Sequence, residues 1–386
     1  MGNKITRVII EAPVESYSFF GSKSRQLIKA IKKIHPDWIV SIYNYFEDNT
    51  RAGFIDNDIE NLIITRSEEH HPDVWIQVGH PSIFYRKGVK NIGVTTSYIY
   101  YPVDLFIGGC NNMDVIWTFS QYSIDTMSML HYETNDGSVV RINTSFVLLP
   151  EYPLLNKEQD GHDLLKDIDT DWNFLVEGYW EATDGQDFGG NNKDNIGFII
   201  RTFLSTFVDT DLNIGLILNV HGDISSILDK TRLSEKINNI RTSIPYDISL
   251  PKIYLINADL SDDALYDLYN NDKIKALISI PQRSDSVQNE LNFAFTSGKP
   301  IIYTNFAAQR DSLSYKGNLF IGGNTKQINT FGVTVIDSFT SDLKLCMYDM
   351  YYHYQALLNK SKSSINNLTN KFNEENYLKL LDNALN

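Results

Sequence analysis

Short apolar runs alternate with amphipathic stretches along most of the chain, and their order predicts strand, helix, strand. The alternation is plainest over residues 252–313. There 253–256 and 276–280 are apolar runs of strand length, 262–269 has a helical period behind Ser261 as a cap, and 301–303 follows the breaker Gly298-Lys299-Pro300. That order predicts a parallel sheet with helices on its faces.

The same pattern opens the chain. Residues 8–10 read as a strand, 13–21 as a loop and 22–34 as a helix ended by His35-Pro36. Strand, loop and helix N-terminus together make a ready anion site. Further strands are expected at 38–42, 62–64, 74–78, 91–95, 115–119 and 139–142, with a helix at 122–130. Between 149 and 171 the pattern lapses into EYPLLNKEQDGHDLLKDIDTD, a polar stretch with Pro and Gly. From Trp172 it restarts, with strand 174–177, a loop rich in Gly, Asn and Asp up to Lys193, helix 195–208, strand 215–220 and helix 228–241. After Ser338 no strand signal remains, so one or two helices are expected, with Leu343, Met347, Tyr351 and Tyr354 as a packing stripe. The organisation expected is α/β: two Rossmann-like doubly wound domains, 1–160 and 161–337, facing a cleft, and a helical tail, 338–386, packing back across them.

Composition narrows the class. A chain of 386 residues with 42% hydrophobic content has material for two cores. Neither end carries a secretory h-region, and no apolar run approaches the roughly 18 residues of a membrane span, so a soluble protein is expected. Cys110 and Cys346 lie far apart without a CxxC, which suggests neither a disulfide framework nor a zinc site and fits a reduced, cytoplasmic compartment. The net charge of −14 opposes sequence-independent binding to nucleic acid. Lys23, Arg25, Lys29, Lys32 and Lys33 crowd the first helix and are the candidate basic face, or else a solvated helix surface.

Several ordered segments resemble those of GT-B nucleotide-sugar-dependent glycosyltransferases of retaining phage and bacterial families. FLVEGYW, then a Gly/Asn/Asp loop and KDNIGFIIRTFLSTF, resembles the strand, phosphate loop and helix that start the donor domain. LINADLSDDALYDLYNNDKIKALISI and SGKPII resemble later donor-domain segments. In the first half, ESYSFFGSKSRQLIKAI, NIGVTTSYIYYP and CNNMDVIWTFSQYSIDTM resemble acceptor-side loops and helices, so the resemblance runs over residues 5–130 and 172–313.

The resemblance implies a UDP- or GDP-linked sugar as donor, no required metal, and cations that neutralise the leaving diphosphate. On that pattern Lys193 fills one cationic place, while Asn219 stands where a Lys normally ends the next strand. Family members hold donor hydroxyls with two Glu eight residues apart before the Gly-Lys-Pro turn. Asp285 and Phe293 fall in those places, and Glu290 lies one helical turn before Phe293. Gly178 belongs to the donor loop; Gly21, Ser24, Arg25, Thr95 and His80 belong to the acceptor side. SYIYY stands where relatives carry a Gly-Ile-Glu-Thr-Thr type loop. The function implied is a glycosyltransferase. The departures leave open a degenerate GT-B-fold binding or scaffolding protein, oligomeric and partnering an active paralogue. The lean to Asn, Ile, Lys, Tyr and Asp resembles AT-rich phage coding, which would make modified pyrimidines in DNA one acceptor class, against the acidic net charge.

Other constellations weigh less. His80, ahead of Pro81, could be a general base, a donor to a sugar hydroxyl or a packing residue. Arg25 could bind an acceptor anion or pair with acidic neighbours. Asp167-Ile168-Asp169 and Asp169-Thr170-Asp171 match a metal-holding triplet but lie in the expected linker. Asp187-Phe188-Gly189 lacks every other kinase motif, and His70-His71 lacks a third ligand.

Overall fold

The predicted alternation is realised twice in the computed structural model, which describes residues 7–16, 18–46, 57–65, 71–97, 102–154, 164–180, 194–222, 227–245, 249–258, 260–327 and 334–386. One unit takes Met1–Pro150 and Glu374–Asn386; the other takes Glu151–Ile328 and Thr334–Asn373.

The first unit runs β1 (Arg7–Ala12), α1 (Phe19–Ile34), β2 (Ile39–Asn44), α2 (Asn57–Glu60), β3 (Val74–Val78), β4 (Lys90–Val94), α3 (Val103–Asn111), β5 (Val115–Thr118), α4 (Gln121–Met129), β6 (His131–Glu133), β7 (Val139–Arg141) and β8 (Ser145–Leu148). Its main sheet has the order β2-β1-β3-β4-β5-β8, with every pairing parallel. The strand expected at 62–64 reduces to a single bridge, because only Ile42 meets it, through Leu62 O at 2.8 Å and Ile64 N at 3.0 Å. The run at 139–142 pairs with β6 as a small antiparallel hairpin instead of joining the main sheet. Helix α1 starts three residues earlier than its pattern suggests, since Ser18 Oγ accepts from Gly21 N at 3.1 Å and caps it.

The second unit runs β9 (Trp172–Tyr179), α5 (Ile196–Thr206), β10 (Ile214–His221), α6 (Ile227–Thr242), β11 (Lys252–Ile256), α7 (Asp262–Asn270), β12 (Ile274–Ser279), α8 (Gln288–Ser297), β13 (Ile301–Thr304), α9 (Ala307–Leu313) and β14 (Leu319–Ile321), followed by the hairpin β15 (Gly323–Gln327) and β16 (Thr334–Ser338) and the helices α10 (Thr340–Tyr352) and α11 (Tyr354–Leu368). Its sheet order is β11-β10-β9-β12-β13-β14, again all parallel. Alternate residues of the central strands fill opposite cores. Phe174, Val176, Leu216, Leu218 and Ala276 pack in one, and Leu175, Ile217 and Leu277 in the other. Strands buried on both faces explain the unbroken apolar runs, and each of these Val, Leu, Ile and Phe side chains removed from water contributes about 1.5–3 kcal/mol.

The tail forms three helices where one or two were expected, the last being α12 (Glu374–Leu385), which packs on α1. Two helix ends made the difference: α10 stops at His353, and Leu368 O accepts from Lys371 N and Phe372 N before α12 begins. Among the described residues, no helix is long and apolar enough to cross a membrane.

Candidate functional site

In an open parallel sheet, ligands gather outside the carboxyl ends of the strands, where the winding direction reverses. That point lies between β1 and β3 in the first unit and between β9 and β12 in the second.

In the first unit, β1 ends in the loop 13–16, which α1 holds closely. Arg25 Nη1 donates to Val14 O at 2.8 Å and to Ser16 O at 2.9 Å, so its guanidinium braces the loop's carbonyls. Gly21 is needed for that approach, since a Cβ there would lie 2.1 Å from Ser16 O. Buried Ser24 donates to Phe20 O at 2.6 Å within the helix. The basic face of α1 is divided. Lys23 is buried over the Phe19 and Phe119 rings, and Lys33 pairs with Glu374 at 2.6 Å, leaving Lys29 and Lys32 among the exposed cations of that helix.

Across the switch point, β3 leads through Gly79 to His80, which caps a short 3-10 turn, Pro81–Ile83. His80 Nδ1 accepts from Ser82 N at 3.2 Å, so the neutral ring carries its proton on Nε2. Burial holds the imidazole down to a pKa of about 4, and its edge packs on Phe106 with ring centroids 5.3 Å apart. This His80 is a hydrogen-bond donor at neutral pH. Buried Thr95, at the end of β4, extends the ladder through its N–H to Trp117 O at 3.0 Å.

In the second unit, β9 carries Glu177 into the same kind of edge. Glu177 is partly exposed; it accepts from Tyr269 Oη at 2.6 Å and from Asn219 Nδ2 at 3.0 Å. Burial of the carboxyl pushes its pKa up to about 7 against those two hydrogen bonds, and the charge of Glu290 adds to the rise. Asn219 therefore stands beside Glu177 in the β9–β10 register, and its Oδ1 is buried without a hydrogen-bond partner. Tyr269 is buried, and burial followed by the Glu177 charge drives its hydroxyl well above the usual phenol range.

Glu290 is also buried on α8, accepting from Ser279 Oγ at 2.5 Å and Gln309 Nε2 at 2.8 Å; burial raises its pKa. Phe293, one turn later, lies in the core against Tyr269, with ring centroids 5.3 Å apart. Asp285 pairs with buried Arg283 at 3.3 Å. Gly178 has φ +149 and is crowded by Asp194, whose Oδ2 accepts from Tyr179 N at 2.6 Å. Asn195, at the N-cap of α5, is left-handed with φ 56, and its Nδ2 reaches Ile280 O at 2.7 Å, joining the β9 turn to the end of β12. Lys193, Asp187-Phe188-Gly189 and His70 lie outside the described residues.

Lys299 of the Gly-Lys-Pro turn is buried and turned away from ligand chemistry. It donates to Tyr269 O and Asn271 O, both at 2.7 Å, at the end of α7, and burial first, then Lys275, lowers its pKa to about 7. The acidic triplets lie ahead of β9, at the opposite edge of the sheet. There Asp169 pairs with Lys252 and Tyr254, and Asp171 accepts from Asn213 at 3.2 Å. Among the described residues, no group of three or more His, Cys, Asp or Glu could hold a metal ion. Cys110 and Cys346 are both free thiols, and burial raises the pKa of each.

Glu177, Asp194, Tyr269 and Gln309 were not singled out from the sequence. A signal for the first existed, since FLVEGYW carries one carboxylate in an otherwise apolar central strand.

Two doubly wound parallel units with C-terminal helices make this the GT-B fold, and comparison with solved structures bears that out over the whole chain. Sucrose-phosphate synthase of Thermosynechococcus elongatus matches with a TM-score of 0.65 at 10% identity, covering 98% of each chain. HepE of Anabaena, in complex with UDP and glucose, matches with a TM-score of 0.61 at 9% identity and 99% coverage of each chain. The UDP-forming α,α-trehalose-phosphate synthase of Burkholderia vietnamiensis matches with a TM-score of 0.58 at 8% identity, covering 100% of this chain and 98% of that one. No family model matches the chain, and no curated protein matches it by sequence.

Proposed function

We propose that the protein is a glycosyltransferase that moves a sugar from a nucleotide diphosphate sugar to an acceptor. The observation that carries this reading is the likeness in fold along the whole chain to proteins solved with UDP-glucose, or with UDP and glucose. The second unit would take the donor, with Asp285, Glu290 and Asn219 near its hydroxyls and Gly178 at the end of β9 in the donor loop. Lys193 would neutralise charge on the departing diphosphate, the step for which such a reaction most needs a cation. On the first unit, the Nε2–H of His80 would donate to a sugar hydroxyl, while Gly21, Ser24, Arg25 and Thr95 shape the acceptor side. The scheme invokes no metal.

A second reading, a GT-B-fold binding or scaffolding protein, draws on one specific observation. Asn219, in the place of a cation, is engaged with Glu177 at 3.0 Å and brings no charge to a leaving group.

One experiment separates them. The protein is screened by thermal shift with millimolar UDP, GDP and their sugars, and then assayed for nucleoside diphosphate release with hydroxylated acceptors, including DNA with modified pyrimidines. The transferase reading expects a shift with one nucleotide, product formation, and loss of both in Lys193→Ala. The absence of any shift, with an oligomer by light scattering, would favour the second.

A further inference from the structure

The hairpin β6–β7 of the first unit is not accounted for by core formation. None of residues 131–141 is buried, and Val139 is 51% exposed. A two-stranded hairpin is marginal in water by itself, yet this one is held at both ends. At its turn, Thr134 N donates to Ser138 O and Gly137 N to Thr134 O, both at 2.9 Å. Where β7 returns towards the sheet, Asn111 of α3 donates through Nδ2 to Arg141 O at 2.9 Å, and its Oδ1 accepts from Asn143 N at 2.8 Å.

The hairpin so fixed forms one wall of an open groove of about 680 Å³, and the first turn of α3 forms the other. A groove of that volume suits a small ligand, and walls already set by hydrogen bonds lower the cost of ordering on binding. Asp104 comes from the helix, and Tyr132, Glu133 and Asn135 come from the hairpin. Among the described residues, the side chains of Asp104, Glu133 and Asn135 have no hydrogen-bond or ion-pair partner, and no Lys or Arg lines the groove. Nor does any group of His, Cys, Asp or Glu among those residues suit a metal ion.

The two carboxylates and the amide oxygen accept from hydroxyls, while the half-buried Tyr132 adds an aromatic face with a polar tip. A saccharide, which alternates C–H faces with hydroxyl groups, uses both kinds of surface. The carboxylates repel an anionic ligand, so the sugar that fits is neutral. The groove also adjoins the candidate acceptor side. Helix α3 follows β4, so its first turn stands at the carboxyl edge of the sheet, and Phe106 in that part of the helix packs on His80 with ring centroids 5.3 Å apart.

We propose that the groove between α3 and the β6–β7 hairpin binds neutral sugar residues of an oligosaccharide acceptor, away from the end that receives the transferred sugar. This rests on the acceptor reading of the first unit. It adds that the acceptor is a glycan chain, gripped at a second place by Tyr132, Asp104 and Glu133.

The test is calorimetric titration of the full chain, without donor, with neutral oligosaccharides of glucose and of N-acetylglucosamine of increasing length. The native protein is compared with Tyr132→Ala and with the double variant Asp104→Ala/Glu133→Ala. Melting curves accompany each, and both variants should melt as the native protein does, since none of the three residues is buried. One oligosaccharide series should bind the native protein, more tightly as it lengthens, and bind both variants at least about tenfold more weakly, the order seen on truncating an anchoring side chain. No binding of any oligosaccharide by the native protein, or equal affinity for native and variants, would overturn the proposal. So would an oligolysine peptide that binds the native protein and loses affinity in the variants while the oligosaccharides do not, since the groove would then be a cation site. Nucleoside diphosphate release is measured separately. Length-dependent binding without release defeats the transferase reading alone; with release, Tyr132→Ala should raise KM more for long acceptors than for a monosaccharide.

Discussion

Glu177 concentrates the chemistry at the residue scale. Its carboxyl, near the end of a central parallel strand, is largely withdrawn from water, and the hydrogen bonds from Tyr269 and Asn219 do not fully offset that. Its folded pKa, about 7, lies above the ordinary 4.5, so the folded chain keeps a proton that the unfolded chain releases. The stability this contributes is fully present below pH 4.5 and is lost as pH rises through 7. Glu177→Gln should therefore leave the melting point unchanged near pH 4.5 and raise stability at pH 8 by about 1 kcal/mol, a figure reduced for the residue's partial exposure. Its amide can also donate to the unpartnered Asn219 Oδ1. Urea melts of both proteins across that pH range check this. His80 has the opposite sign: its depressed pKa leaves it neutral, and acid below its ordinary value of 6.5 destabilises the fold. If His80 donates to the sugar, His80→Ala should lower transfer about a hundredfold, read as nucleoside diphosphate release at fixed donor concentration.

At the scale of elements, α8 shows how a helix can be legible while its role is not. Its Gly298 stop can be read from the chain, and Gly298 indeed ends it at φ 70 with its N–H on Ala294 O at 2.8 Å. Its start depends on a residue far away in sequence. Val287 makes no side-chain cap, and the orphan amide is taken by Glu151. Gln288 Nε2 and Asn292 Oδ1 bind Tyr152 O and Leu154 N at 2.7 and 2.8 Å, so the 151–154 segment is strapped to the helix. Glu151→Ala should cost about 1–2 kcal/mol, as loss of an N-cap does, and hydrogen exchange should rise first in the opening turn of α8. No local pattern announces a cap 136 positions distant. The same separation explains why Glu290 and Phe293 could be placed on one helix from sequence, but not assigned to a polar latch and a core contact respectively.

At the scale of the molecule, the first unit is completed from the far end of the chain. Tyr377, Leu381 and Leu385 of α12 are buried, and Lys90 Nζ reaches Ala384 O at 3.0 Å and Leu385 O at 2.8 Å, capping the helix's last carbonyls. His35, stacked on Trp38 with centroids 3.7 Å apart, pairs with Asp382 at 3.0 Å. Leu381→Ala should remove about 2–5 kcal/mol from this unit. Limited proteolysis should then cut the first unit at a denaturant concentration that leaves the second intact; equal sensitivity of both would contradict the division.

The alternation of apolar runs and amphipathic stretches determined the two α/β units by itself, because burial of a parallel strand on both faces and of a helix on one leaves a local period in the chain. Local signals also set Ser261 as the cap of α7, where its Oγ accepts from Ala264 N at 3.2 Å, and the stop at Gly298. The tertiary structure alone decided which polar groups meet. Asp194 on the Tyr179 amide, Asn219 against Glu177, Lys299 under the end of α7 and Arg25 on the loop after β1 depend on strands and helices brought side by side. Such contacts are fixed by sheet order and register, which no stretch of sequence carries within itself.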